Sequence, residues 1–126
     1  MCGFFGIFSP NGVNFEKKKL ENLTNLLHHR GPDQNGYFVD KNINLGFKRL
    51  SIIDIKNGKQ PFVSQNKRFV MVFNGEIYNY KIIKKNLLSK SINLKTNSDT
   101  EVLIETISNF GLESIDRING MFAFIL

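Results

Sequence analysis

At 126 residues, 41% of them hydrophobic, the chain has the length of one small domain and enough apolar surface for a core, which argues against global disorder. Its net charge of +6 raises a nucleic-acid-binding reading, but only four of the 17 basic residues are Arg, and no RNA-binding signature or zinc-finger spacing accompanies the lysine runs 17–19 and 84–85, which read as solvated helix faces. The single cysteine, Cys2, excludes an internal disulfide and a multi-thiolate metal site and fits a reducing, cytoplasmic setting; no apolar run has the length of a membrane span, and Phe4 to Phe8 is too short for a signal peptide. Abundant Lys, Asn, Ile and Phe beside one alanine, Ala123, reflect A/T-rich codons and explain the basic balance without a partner.

In chain order, Phe4 to Phe8 reads as a buried strand closed by the turn residues Ser9-Pro10-Asn11-Gly12. Asn14 is the expected cap of a helix running to about His29, with Leu20, Leu23, Leu26 and Leu27 as its apolar stripe and Gly31-Pro32 as its stop. Gly36 to Asp40 and Leu45 to Leu50 read as two strands joined at Lys41-Asn42, with Ile52-Ile53 continuing the apolar pattern and a loop over Lys56 to Gln60. Phe69 to Phe73 is apolar throughout, as in a strand covered on both faces, and is expected to end at Asn74-Gly75. A helix is predicted over Tyr80 to Ser89 with Asn79 as cap. Another begins at the capping box Ser98-Asp99-Thr100-Glu101, carries Leu103, Ile104, Ile107 and Phe110 as its stripe, and ends at Gly111. The chain stops inside the apolar run Met121 to Leu126, so the sequence is expected to be a fragment of a longer protein.

Several residues have the chemistry of a site. Removal of Met1 would leave Cys2 with both a thiol and a free α-amine. The two groups ordinarily titrate within about a unit of each other, so the amine can serve as base for its own thiol. The alternative is a small buried residue opening a strand. Arg49 shares a strand face with Leu45 and Phe47, where a guanidinium needs an anionic partner. That partner is either a ligand carboxylate or an internal group such as Asp54. Asn74-Gly75 is either a tight turn or an oxyanion site built from an amide and a backbone N–H. Asp99 complements a helix dipole or receives an ammonium. Together Arg49 and Asp99 suit a zwitterionic amino acid. His28 and His29 are read as closing a helix rather than as partners of Cys2.

Taken together, these motifs resemble the class II glutamine amidotransferase domain of asparagine synthetase. The resemblance is carried by Met1-Cys2-Gly3 with Gly6-Ile7-Phe8, His29-Arg30-Gly31-Pro32-Asp33 with Gly36, and Arg49-Leu50-Ser51-Ile52-Ile53-Asp54. It continues through Gln60-Pro61, Asn74-Gly75-Glu76-Ile77-Tyr78-Asn79, Ser98-Asp99-Thr100-Glu101 and Gly120-Met121-Phe122-Ala123-Phe124. It implies an α+β fold, a four-layer αββα sandwich of the N-terminal nucleophile hydrolase type, incomplete at its C-terminal end. It also implies hydrolysis of glutamine to glutamate and ammonia through a γ-glutamyl thioester on Cys2. The α-amine would be the base, Asn74 and the Gly75 N–H the oxyanion hole, Arg49 the carboxylate clamp and Asp99 the ammonium site. Leu50, Ser51, Ile52, Ile53 and Glu76 would complete the glutamine pocket. Arg30 and Asp33 belong to the motif without an assigned role.

The same resemblance implies a partner in the same polypeptide, an ATP-dependent synthetase domain that amidates aspartate with ammonia delivered through a tunnel. No cofactor or metal is expected in residues 1–126, and ATP and Mg belong to the absent domain. Neither nucleic acid nor membrane is an expected partner. A homodimer of the full-length enzyme is one arrangement open to it. Other acceptors, such as cell-surface sugar acids, and a catalytically inactive truncated product are the alternatives. Relatives that close β-lactam rings lack the terminal Cys, so Cys2 argues against them.

Overall fold

The computed structural model describes residues 1–52, 54 and 56–126, and the expectations for Ile53 fall outside the described residues. The chain is α+β with two antiparallel sheets. The first sheet is built from β1 (Gly3–Phe8), β2 (Gln34–Val39) and β3 (Ile43–Arg49) in the order β1-β3-β2. The second is β4 (Phe62–Val63), β5 (Val70–Ile77) and β6 (Gly120–Ile125) in that order.

Alternation along β3 and β5 explains how the layers meet. Leu45 and Phe47 pack against Val72, with Cys2, Phe4, Val70 and Ile125 at the margin. From the other face of β5, Met71 and Phe73 join Ile83 and Leu87 of α2 (Tyr80–Ser89) and Val102, Leu103, Ile104 and Ile107 of α3 (Asp99–Phe110). Period 2 in the strand and period 3.6 in the helices thus converge on one cluster. The remaining helix, α1 (Lys17–Asn25), lies against β3.

Several expectations are corrected. Helix α1 is capped at Glu16 rather than Asn14, because Val13 N donates to Lys41 O (2.8 Å) and ties that stretch to the connection between β2 and β3. It also stops at Asn25. The N–H groups of Leu26, Leu27, His28 and Arg30 bond three residues back, so tight turns rather than helix carry the chain to Gly31. Leu26 is consequently exposed and drops out of the apolar stripe, and His28 and His29 close no helix.

Strand β5 does not end at Asn74-Gly75. It runs to Ile77 with Asn74 opposite Ala123 and Gly75 opposite Phe122, so the hairpin-turn alternative falls. The capping box forms by half. Ser98 Oγ accepts from Thr100 N (3.1 Å), whereas Glu101 turns to the preceding loop and accepts from Lys95 N (2.8 Å), Thr96 N (2.6 Å) and Thr96 Oγ1 (2.7 Å). Asn79 precedes α2 as expected, but its amide ties Arg117 O and Asn119 N instead of the helix start. Phe110 is 41% exposed beneath Lys90 rather than in the core stripe.

Candidate active site

Where the two sheets meet, a cavity of about 170 Å³ opens beside the chain start. It brings together Cys2, Arg49, Leu50, Asn74, Gly75 and Asp99, drawn from four separate segments. Ile52 and Glu76 also line it. Ser51 does not; its Oγ is buried with no hydrogen-bonding partner among the described residues.

Cys2 directly precedes β1, whose Gly3 pairs with Lys48, so its thiol arrives at the end of β3. The Leu50 peptide clasps it: Leu50 N donates to Sγ (3.3 Å) and Sγ donates to Leu50 O (3.5 Å). The turn after α1 supports both partners. Arg30 Nε and Nη2 each donate to Cys2 O (3.4 Å). Asp33 N donates to Arg49 O (3.0 Å), while Asp33 Oδ2 accepts from Ser51 N (2.7 Å). Asp33 therefore staples the chain on both sides of Leu50. This gives geometric content to Arg30 and Asp33, whose roles the motif alone left open.

Arg49, at the end of β3, is 4% exposed. Its Nη1 donates to Gln34 Oε1 (3.1 Å) and its Nη2 to Asp54 O (2.8 Å). The internal partner proposed for it, Asp54, thus offers its carbonyl here. The Asp54 carboxylate accepts instead from Asn97 N (2.8 Å) and from Asn57, and these bonds, Asn97 first, hold it below the usual carboxylate range.

Gly75 has φ +157°, a value L side chains rarely adopt, and a Cβ there would lie 2.3 Å from Met121 O. Gly75→Ala is therefore expected to cost roughly 1–3 kcal/mol from backbone strain alone, before any clash with β6, and a lowered melting temperature checks it. Along β5, Phe73 N donates to Gln60 Oε1 and Ile77 N to Asp99 Oδ2 (3.2 Å). Strand alternation puts the Gly75 N–H on the same cavity-side edge.

Asp99 is 5% exposed at the first turn of α3. Burial pushes its carboxyl up, with nearby Glu76 adding to the shift and hydrogen bonds from Ile77 and Thr100 opposing it. A group whose folded value is raised holds its proton more tightly in the native state. Its contribution to stability is present below the ordinary value and is lost as pH rises through the raised one. Glu105, likewise raised by burial, acts in the same direction. Asp99→Asn is expected to remove part of this loss as pH rises above the ordinary carboxylate range, read as the wild-type-minus-variant difference in melting temperature.

Residues that motif reasoning left out of the site also line the cavity, notably Gln60, Phe73, Ser98 and Thr100. Gln60 was part of a motif, but neither charge nor spacing marked it. A second, more open pocket of about 360 Å³ also touches Cys2 and Asn74 and is lined by Leu27, His29 and Arg30. Among the described residues no group of three or more His, Cys, Asp or Glu is placed to hold a metal ion, and no helix is long and apolar enough to cross a membrane.

The chain belongs to the glutamine amidotransferase domain family, whose pattern matches residues 1–126. It is 41% identical over its whole length to glutamine-hydrolysing asparagine synthetase 1 of Bacillus subtilis (strain 168) and covers 20% of that protein. It is 40% identical to glutamine-hydrolysing asparagine synthetase B of Escherichia coli (strain K12), covering 23%, and 38% identical to glutamine-hydrolysing asparagine synthetase 2 of Oryza sativa subsp. japonica, covering 21%. The chain thus spans about a fifth of the length of these curated relatives.

Proposed function

We propose that this domain hydrolyses glutamine to glutamate and ammonia through a thioester on Cys2, and that it supplies the ammonia to an ATP-dependent synthetase domain of the same cytoplasmic polypeptide, which makes asparagine from aspartate. The observation that carries the reading is the convergence of Cys2, Arg49, Asn74, Gly75 and Asp99 on one cavity. In the reaction the α-amine of Cys2, freed by loss of Met1, takes the thiol proton. The sulfur attacks the side-chain amide carbon, and the oxyanion is held by the Asn74 amide and the Gly75 N–H. Ammonia leaves with the transferred proton, and water then cleaves the thioester to give glutamate.

Arg49 takes the substrate carboxylate and Asp99, with Glu76 nearby, takes the ammonium; opposite charges lining one cavity suit a zwitterion. Leu50 and Ile52, which line the cavity, complete the pocket. In this reading ATP and Mg belong to the synthetase domain of the same polypeptide.

In this reading the fold is the αββα sandwich of N-terminal nucleophile hydrolases. The contact of α1 with β3, of Leu45 and Phe47 with Val72, and of α3 with β4 and β5 supports that arrangement. The names and greater length of the relatives support the fused synthetase domain.

A diazoketone analogue of glutamine tests the assignment. The full-length protein should acquire one covalent adduct, on Cys2, and excess glutamine should suppress it. Labelling elsewhere, or labelling indifferent to glutamine, would contradict the proposal.

A further inference from the structure

Gln60 joins two parts of the cavity that have no covalent reason to keep a fixed separation. Its Oε1 accepts from Phe73 N (2.6 Å), the residue before Asn74, and its Nε2 donates to Thr100 Oγ1 (3.3 Å), the residue after Asp99. Strand β4 has only two residues, pairing Phe62 with Met71 and Val63 with Val70, so beyond Met71 the Gln60 carboxamide stands in for the next strand residue on the β5 edge. Its backbone is fixed from behind: a Cβ on Gly36 of β2 would lie 1.8 Å from Gln60 O, so only glycine admits this approach.

We infer that Gln60 is a positioning residue that sets the distance between the Asn74–Gly75 strand and Asp99, and thereby matches the cavity to an amide substrate bearing an α-ammonium group. The inference rests on the glutaminase reading above. Strand β5 is held on its other edge by β6, with Asn74 opposite Ala123. Loss of the Gln60 bridge therefore shifts chiefly the first turn of α3 at the cavity, while Val102 and the residues after it stay packed on Met71 and Phe73. A second tie, from Ile77 N to Asp99 Oδ2, draws on the same carboxylate that must meet the ammonium.

The test compares ammonia release from glutamine and from glutaric acid monoamide, which keeps the carboxylate and amide but lacks the ammonium, using the full-length protein. Gln60→Met is expected to lower kcat/KM for glutamine on the order of a hundredfold, the cost of a misplacement of about 1 Å, while the monoamide loses less than about threefold. Thr100→Val, which removes only the helix arm, should shift the same ratio in the same direction, and Thr100→Ser should restore it. Equal losses on both substrates, or an unchanged glutamine rate with the bridge removed, would overturn the inference. A wild-type protein that releases no ammonia from glutamine would overturn the glutaminase reading instead. If Gln60→Met fails to fold, the Thr100 pair decides.

Discussion

Cys2→Ala is expected to abolish glutamine-dependent activity of the full-length protein, by at least about 10⁴-fold, because among the described residues lining the cavity no other offers a nucleophile with its own base. Ammonia-dependent activity should survive, since that route bypasses the thioester. Loss of both would sink the assignment. Retention of Met1 should be as damaging as loss of Cys2, for two physical reasons. Its peptide bond removes the free amine, and Met1 itself lines the cavity that glutamine must fill. Blocking initiator removal and measuring glutamate formation checks this, and full turnover with Met1 in place would refute the amine as base.

Arg49→Ala carries the second large effect. The guanidinium is almost fully buried, and its bonds to Gln34 and to the Asp54 carbonyl fix its plane at the cavity wall. A charge-assisted contact to a substrate carboxylate from such a preorganised group is worth roughly 2–5 kcal/mol. That corresponds to a rise in KM for glutamine of about thirtyfold or more, with kcat changed less if the contact serves ground state and transition state alike. Steady-state kinetics with a melting curve as folding control reads it. An unchanged KM in the folded variant would count against the clamp.

How much of this was legible in the sequence depends on the range of the interaction. Helices α2 and α3 and the apolar strand at Phe69 to Phe73 announced themselves through periodicity, because burial of their faces dictates it. The limits of α1 did not, because they are set by bonds to remote Lys41 and by three-residue turns that no local pattern encodes. Strand β4 was missed because two residues carry no alternation, and the 3-10 turn over Leu112–Arg117 because its burial is slight. Asn74-Gly75 misled in its local reading. The pair is a turn signature by propensity, yet β6 returns from more than forty residues away to extend the strand through it.

At the cavity the pattern repeats. Charged or nucleophilic residues such as Cys2, Arg49 and Asp99 drew attention because their chemistry is costly to bury without purpose. Gln60 and Thr100 are neutral and common, and only the three-dimensional bridge between Phe73 and α3 singles them out. Arg30 and Asp33 lay between the two cases. Their charge was visible, but their targets are backbone atoms of Cys2, Arg49 and Ser51, which a sequence does not display.

The central claim is covalent chemistry at Cys2, and one measurement reaches it directly. The full-length protein is mixed with glutamine, quenched in acid during turnover, and its N-terminal peptide weighed by mass spectrometry. The account predicts a peptide beginning at Cys2, without Met1, bearing a γ-glutamyl group on sulfur that appears with glutamine and decays as glutamate accumulates. Glutamate production with Cys2 unmodified throughout, or with Met1 still attached, would contradict it.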